Sequence, residues 1–194
     1  MRTSVEKQGR ERAAGVLLRK PHASDGVRVS DLIASCPPLD QNSIYCNLLQ
    51  CTDFSDTCVL AERDGEAVGW ISGYRPRREP ATLFIWQVAV HERARGLGLA
   101  RRMLLELLER ESRDVVSYLK TTITPDNDAS RRLFRSFAAH TGALLRETVG
   151  FDAKEHFDGR HASERLITIG PLRSRRQRNE STVTQIEDHN VSTD

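Results

Sequence analysis

The chain has 194 residues, of which 38% are hydrophobic, 29% charged and 6% aromatic. That is the length of one ordinary domain with enough apolar residues for a buried core, which excludes a wholly disordered chain, and no apolar run approaches the ~20 residues of a membrane helix. Its 29 basic and 27 acidic residues leave a net charge of +2, too even a balance for a bulk nucleic-acid binder.

Residues 1–25 hold few apolar side chains and no sustained period, and they lack an export signal's apolar stretch, so a polar tail and a cytoplasmic protein are expected. Val27-Arg28-Val29 carries a short strand signal. Ser30 can cap a helix bearing Leu32 and Ile33, which Pro37-Pro38 stops because proline lacks an N–H. A second helix restarts at Asn42 or Ser43 with Ile44, Tyr45, Leu48 and Leu49 at helical spacing. Thr57–Arg63 and Glu66–Tyr74 flank Asp64-Gly65, a dipeptide suited to a tight hairpin turn. After a proline-containing loop, Thr82–Val90 is apolar almost throughout, the pattern of a strand buried on both faces.

The basic segment His91–Leu97 opens a helix from Gly98 to about Arg110, with Leu99, Met103, Leu104, Leu107 and Leu108 as its stripe. Val115–Thr122 predicts a strand. Pro125-Asp126-Asn127 precedes a helix that Gly142 ends. Ala143–Val149 and Arg165–Ile169 supply two closing strands around the polar segment 150–164. The sum is an α/β domain over 26–172 in the order βααβββαβαββ, a mixed central sheet flanked by helices. Residues 173–194, with arginines at 173, 175, 176 and 178, read as a disordered polar tail.

The strongest local signal is Arg93-Ala94-Arg95-Gly96-Leu97-Gly98-Leu99-Ala100, between a buried strand and a helix. Glycines at 96 and 98 let backbone approach a ligand, and the unpaired N–H groups of the first helical turn favour an anion. Arg95 and Arg101 can add charge-assisted contacts. This is a pyrophosphate cradle by its chemistry. A Walker loop would need Gly-Lys-Ser/Thr, which Gly98-Leu99-Ala100 lacks, and a Rossmann loop would open its domain, whereas four strand signals precede this one. The four cysteines at 36, 46, 51 and 58 form no CxxC pair and read as reduced, partly buried thiols.

Arg93-x-x-Gly96-x-Gly98 resembles the acetyl-CoA loop of the GCN5-related N-acetyltransferases (GNAT), and the element order is similar to theirs across the core. The resemblance implies that the preceding strand, Gln87, Val88, Ala89 and Val90, pairs its backbone with the pantetheine arm. It further implies that Arg95, Gly96, Leu97, Gly98, Leu99, Ala100 and Arg101 hold the pyrophosphate and that Asn127 touches the cofactor. Three further segments, 37–51, 82–90 and 121–127, together with His156-Phe157-Asp158-Gly159-Arg160-His161, resemble the L-2,4-diaminobutyrate acetyltransferases of ectoine biosynthesis. Acetylation of the γ-amine of a small amino acid, acetyl-CoA as co-substrate and a homodimer are what that resemblance implies.

Diaminobutyrate carries two ammonium groups and one carboxylate, so its site needs acidic acceptors and a donor. Asp40 suits an ammonium, though capping the following helix is an equal role on physical grounds. Tyr45, a helical turn and a half later, can orient substrate or serve as the acid for the departing thiolate, or simply fill the core. Trp86 can pack in the core, wall the pocket or hold a cation on its π face. His161 and Glu164 are the candidate bases, since an amine of pKa ~10.4 must lose a proton before attack. His156, Asp158, His161 and Glu164 also resemble a loose metal cluster, but Gly159 interrupts any helix and acyl transfer needs no Lewis acid, so no metal is expected. Many family members protonate the thiolate from a late-helix tyrosine, and the corresponding Leu133-Phe134-Arg135 offers no hydroxyl. Another amine on the same fold, or an acyl-CoA sensor working through the arginine-rich tail, are the competing readings.

Overall fold

The computed structural model describes residues 15–110 and 116–172. Their elements run β1 (Leu17–Arg19), α1 (Gly26–Ala34), α2 (Ile44–Cys51), β2 (Val59–Arg63), β3 (Glu66–Tyr74), β4 (Thr82–Val90), α3 (Leu99–Arg110), β5 (Tyr118–Ile123), α4 (Asp128–Thr141), β6 (Leu144–Phe151) and β7 (Glu164–Gly170), with short 3-10 turns between some of them. This is the expected order. The seven strands form one sheet in the order β1-β2-β3-β4-β5-β7-β6, antiparallel except between β4 and β5.

Two expectations near the start are corrected. Val27-Arg28-Val29 lies inside α1, which begins at Gly26 rather than after Ser30, and the first strand is Leu17–Arg19, inside the segment read as tail. Valine's β preference is weak against a helical stripe that buries Gly26, Val29, Leu32 and Ile33 while Val27 faces solvent. The remainder of both tails, 1–14 and 173–194, lies outside the described residues.

β1 is held by its ladder with β2, by Leu18 packed on the core, and by charge. Asp25, buried just before α1, accepts from Arg19 at 2.7 and 2.8 Å, from Arg28 at 2.9 Å and from the His22 N–H at 2.8 Å. Glu62 of β2 accepts from the same two arginines, at 2.5 and 2.7 Å. Two cations and two anions thus tie β1, α1 and β2 together. Burial alone would raise the Asp25 carboxyl, but the hydrogen bonds from Arg19 and His22, with the charges of Arg19 and Arg28, hold it down at about 2.

Two cores lie on opposite faces of the sheet. One packs Met103, Leu104, Leu107, Phe134 and Phe137 of α3 and α4 against Ile71, Leu83, Leu119 and Ile169. The other packs Val29, Leu32 and Ile33 of α1 and Cys51 of α2 against Leu60, Trp70 and Ala89. Cys36, Cys51 and Cys58 are buried free thiols, as expected, and burial pushes Cys51 up to about 11 and Cys58 to about 12. They are packing residues and poor nucleophiles.

The depressed Asp25 carboxyl stabilises the fold at neutral pH by about 2 kcal/mol, and that contribution is lost as pH falls from the ordinary carboxylate range through about 2. Asp25→Asn leaves two arginines short of charge, with an expected cost of about 2–4 kcal/mol. Chemical denaturation of wild type and variant at pH 7 and pH 3 measures this: the gap between them should narrow at pH 3.

Candidate active site

The site is built where the central strands part. β4 and β5 pair only through Thr82↔Tyr118, Leu83↔Leu119 and Phe84↔Lys120. Beyond these, β5 continues against β7 through Ile123, whereas β4 runs on to Val90 against β3 alone. The β5-facing edge of β4 over residues 85–90 therefore has no strand partner and opens into a cleft, and strand edges pair readily with extended chains.

At the mouth of the cleft β4 carries a bulge. Ser72 faces Gln87 and Gly73 faces Ile85, so Trp86 is the added residue. The bulge swings its ring outward to 49% exposure, which corrects the expectation of a strand buried on both faces throughout. β6 bulges similarly at Gly150, between Val149↔Arg165 and Phe151↔Glu164. A Cβ at Gly150 would lie 2.5 Å from the Glu164 carbonyl oxygen, so only glycine lets the two strands meet there.

Between the two bulges lies a cavity of about 670 Å³ lined by Phe54, Tyr74, Phe84, Trp86, Thr122, Val149, Gly150, Phe151 and Leu166. Five of the nine are aromatic. Tyr74 packs on Phe84 at 5.1 Å and meets Trp86 edge-on at 6.4 Å. Such a wall disfavours a charged amine in bulk terms but presents π faces to a cation. Phe54, Tyr74 and Phe151 escaped the sequence reading because only the folded sheet brings strands β3 and β6 and the segment before β2 to one place.

Carboxylates gather around His161. Its Nε2 lies 3.6 Å from Asp40 Oδ2, and its Nδ1 is 2.7 Å from the Ala162 carbonyl. That carbonyl contact, then Asp40 and Glu164, raise the imidazole above its ordinary value in spite of some desolvation. Asp40 is not a helix cap: Ser43 caps α2, accepting from the Cys46 N–H at 3.1 Å. This leaves the Asp40 carboxylate, 88% exposed, free for a cation. Glu164 opens β7, and its Oε2 is buried with no hydrogen-bond partner among the described residues. An uncompensated buried carboxylate oxygen is costly and suits a site that receives a donor from substrate.

Other expectations are redirected. Tyr45 stands 69% exposed on the first turn of α2, so it does not fill the core. Phe134, in the stretch where a hydroxyl was sought, is buried in the core. His161 and Glu164 do not share a helix face, since the segment between β6 and β7 turns through Asp158 and Gly159 at positive φ; the turn itself brings them near. His156 Nδ1 accepts from the Asp152 N–H at 2.9 Å and Asp158 pairs with Arg160, so neither joins His161 as a ligand.

The glycine loop has the positive-φ backbone that its two glycines suit. Gly96 and Gly98 have φ of +77° and +68°, conformations natural to glycine, and they bend the chain into α3. The Gly98 carbonyl accepts the Arg102 N–H, so the amides of Leu99, Ala100 and Arg101 precede the helical ladder. Arg95 Nε donates to the Val90 carbonyl at 3.0 Å, Arg101 reaches Ser136, and Leu97 is exposed. Asn127 caps α4, its Oδ1 accepting from the Ser130 N–H at 3.0 Å. An extended thiol arm on the open edge of β4, ending in a diphosphate on the α3 amides, fits these residues. Residues 27–138 match the acetyltransferase (GNAT) family.

The chain belongs to that family. Within it, the chain is 51% identical over 157 residues to an L-2,4-diaminobutyric acid acetyltransferase of Vibrio parahaemolyticus, covering 81% of this chain and 86% of the relative. It is 46% identical over 159 residues to that of Methylotuvimicrobium alcaliphilum, covering 82% and 92%. The structure of the diaminobutyrate acetyltransferase EctA from Paenibacillus lautus, in complex with its substrate L-2,4-diaminobutyric acid and coenzyme A, is similar with a TM-score of 0.77 at 43% identity, covering 82% of this chain and 96% of that one.

The raised imidazole gives a direct check. In a titration followed by NMR, the His161 midpoint should lie above ~6.5 and fall in Asp40→Asn, whose neutral amide no longer favours the imidazolium. An unchanged midpoint would show that the two loops do not meet in solution.

Proposed function

We propose that this protein transfers the acetyl group of acetyl-CoA to the γ-amine of L-2,4-diaminobutyrate, giving N4-acetyl-L-2,4-diaminobutyrate for ectoine synthesis. The observation that carries the reading is the pairing of an open β4 edge and glycine cradle with an aromatic cavity, together with the exposed Asp40 carboxylate and the buried Glu164 oxygen that has no partner among the described residues. The near relatives named above support the substrate.

When bound, acetyl-CoA supplies a thioester carbonyl: the deprotonated amine nitrogen forms the N–C bond, the C–S bond breaks, and coenzyme A departs as the thiolate, which takes up the proton that the amide nitrogen gives up to solvent. The chain's residues prepare this. Asp40 and Glu164 meet the two ammonium groups, and Trp86 with Tyr74 and Phe84 walls the reacting end. Exclusion of water by those rings disfavours the charged ammonium, lowering the cost of removing its proton. Glu164, with its buried free oxygen, takes that proton, and His161 beside it relays the charge to solvent. The transfer is direct: Cys51 and Cys58 are buried and raised, and desolvation raises the half-buried Cys46. The thiolate, near the ordinary thiol value of ~8.5, leaves without a dedicated acid. We infer a homodimeric cytoplasmic enzyme, for which the exposed apolar side chains Leu144 and Val149 on edge strand β6 offer a pairing surface.

Incubation with acetyl-CoA and diaminobutyrate, with ornithine, lysine and spermidine as comparison amines, tests the reading through thiol release and the position of acetylation. Strong preference for diaminobutyrate with γ-acetyl product is expected; coenzyme A binding without turnover would overturn the substrate. Trp86→Ala should cut kcat/KM by about tenfold or more with its fold intact, because one wall of the cavity goes. Glu164→Gln should lower kcat by about 10²–10⁴-fold, most severely below neutral pH, where the amine holds its proton harder. An unchanged pH–rate profile would remove Glu164 as the base.

A further inference from the structure

The backbone of Gln87 pairs with Ser72 of β3, but its side chain does something else. The carboxamide Nε2 donates to the Asp40 carbonyl oxygen at 2.8 Å, and Oε1 accepts from Asn42 Nδ2 at 3.1 Å. Both ends of one amide thus grip the segment between α1 and α2. The two partners also fix its orientation, since a flipped amide would set oxygen against oxygen and nitrogen against nitrogen.

That segment carries Asp40, and it has no helix or strand of its own before Ile44. The other hold on Asp40 is His161, which approaches the same carboxylate that a substrate ammonium would need. Gln87 holds the main chain at Asp40 and leaves the carboxylate unused. We propose that Gln87 is a positioning residue for the amino-acid substrate: its carboxamide clasps residues 40–42 to the cofactor strand, so that the Asp40 carboxylate is presented from a place set by β4. The assignment rests on the diaminobutyrate reading above. Its consequence is that the substrate anchor and the thioester are indexed to neighbouring atoms of one strand, the kind of mutual placement on which an acyl transfer depends.

The test compares wild type with Gln87→Leu, which loses both bonds, and Gln87→Glu, which keeps an acceptor for Asn42 but turns an anion toward the Asp40 carbonyl. Both variants should raise KM for diaminobutyrate about tenfold, the effect of one to two such bonds, with kcat and the KM for acetyl-CoA within about twofold. Asn42→Ala should raise it less, and should add nothing on the Gln87→Leu background. Hydrogen–deuterium exchange should quicken at residues 39–43 in both Gln87 variants. Unchanged KM and exchange would overturn the proposal. So would equal rises in both KM values with a lowered Tm, which is the mark of a merely structural role. If wild type fails to turn over diaminobutyrate, the functional reading falls, while the exchange at 39–43 still decides whether the clasp exists.

Discussion

The ladder between β4 and β5 lasts for three residue pairs, from Thr82 to Phe84, and most of the molecule's chemistry depends on that early parting. A parallel pair that continued would bury the far half of β4 on both edges. Because β5 turns instead to β7, the peptide groups of residues 85–90 border a cleft, with the amides of α3 at one end and the aromatic cavity at the other. A sheet can be held open in this way only if each half is stable alone. The two cores provide that, α3 and α4 gripping one face across both halves and α1 and α2 covering the other over β2–β4.

Around the cleft, irregular backbone recurs where substrate chemistry is needed. The Trp86 bulge aims a large ring outward from a strand otherwise committed to the core. The Gly150 bulge lets β6 cross close to the start of β7, where Glu164 sits. Asp40 comes from the segment before α2, and His161 and Glu164 from the turn that leads into β7, so their geometry is soft compared with the strands. The Gln87 clasp and the His161–Asp40 contact are the ties that give those loops a defined place. By contrast, the Arg19–Asp25–Arg28–Glu62 set lies at the far edge of the sheet and serves structure, fastening a three-residue strand too short to hold by apolar burial alone.

Local sequence carried most of the architecture. The hairpin turn at Asp64-Gly65 adopts positive φ at both residues, Gly142 ends α4 in the left-handed region, and β4 spans the residues its apolar run suggested. The glycine cradle was legible because its geometry is local: two glycines and a helix start within a few residues. Val27–Val29 misled because valine's β preference spans only about 1 kcal/mol and yields to a helical stripe packed on Trp70. β1 was missed because its stabilising charges come from Asp25 and Glu62, the latter 43 residues away.

The candidate substrate residues divide along the same line. Trp86, Asp40, His161 and Glu164 could be named from residue type and motif, and the structure gathers them at one end of the cleft. Tyr45 bore the same kind of signal and points to solvent, because which face of α2 turns inward is decided by Asn47, Gln50 and Cys51 packing beneath it. Residue chemistry and periodicity, which act over a few neighbours, determined the element order, the cradle and the list of candidate groups. Strand register, the two bulges, the short β4–β5 ladder and the Gln87 clasp were decided by tertiary structure, because each is a relation between separate segments that no local pattern encodes.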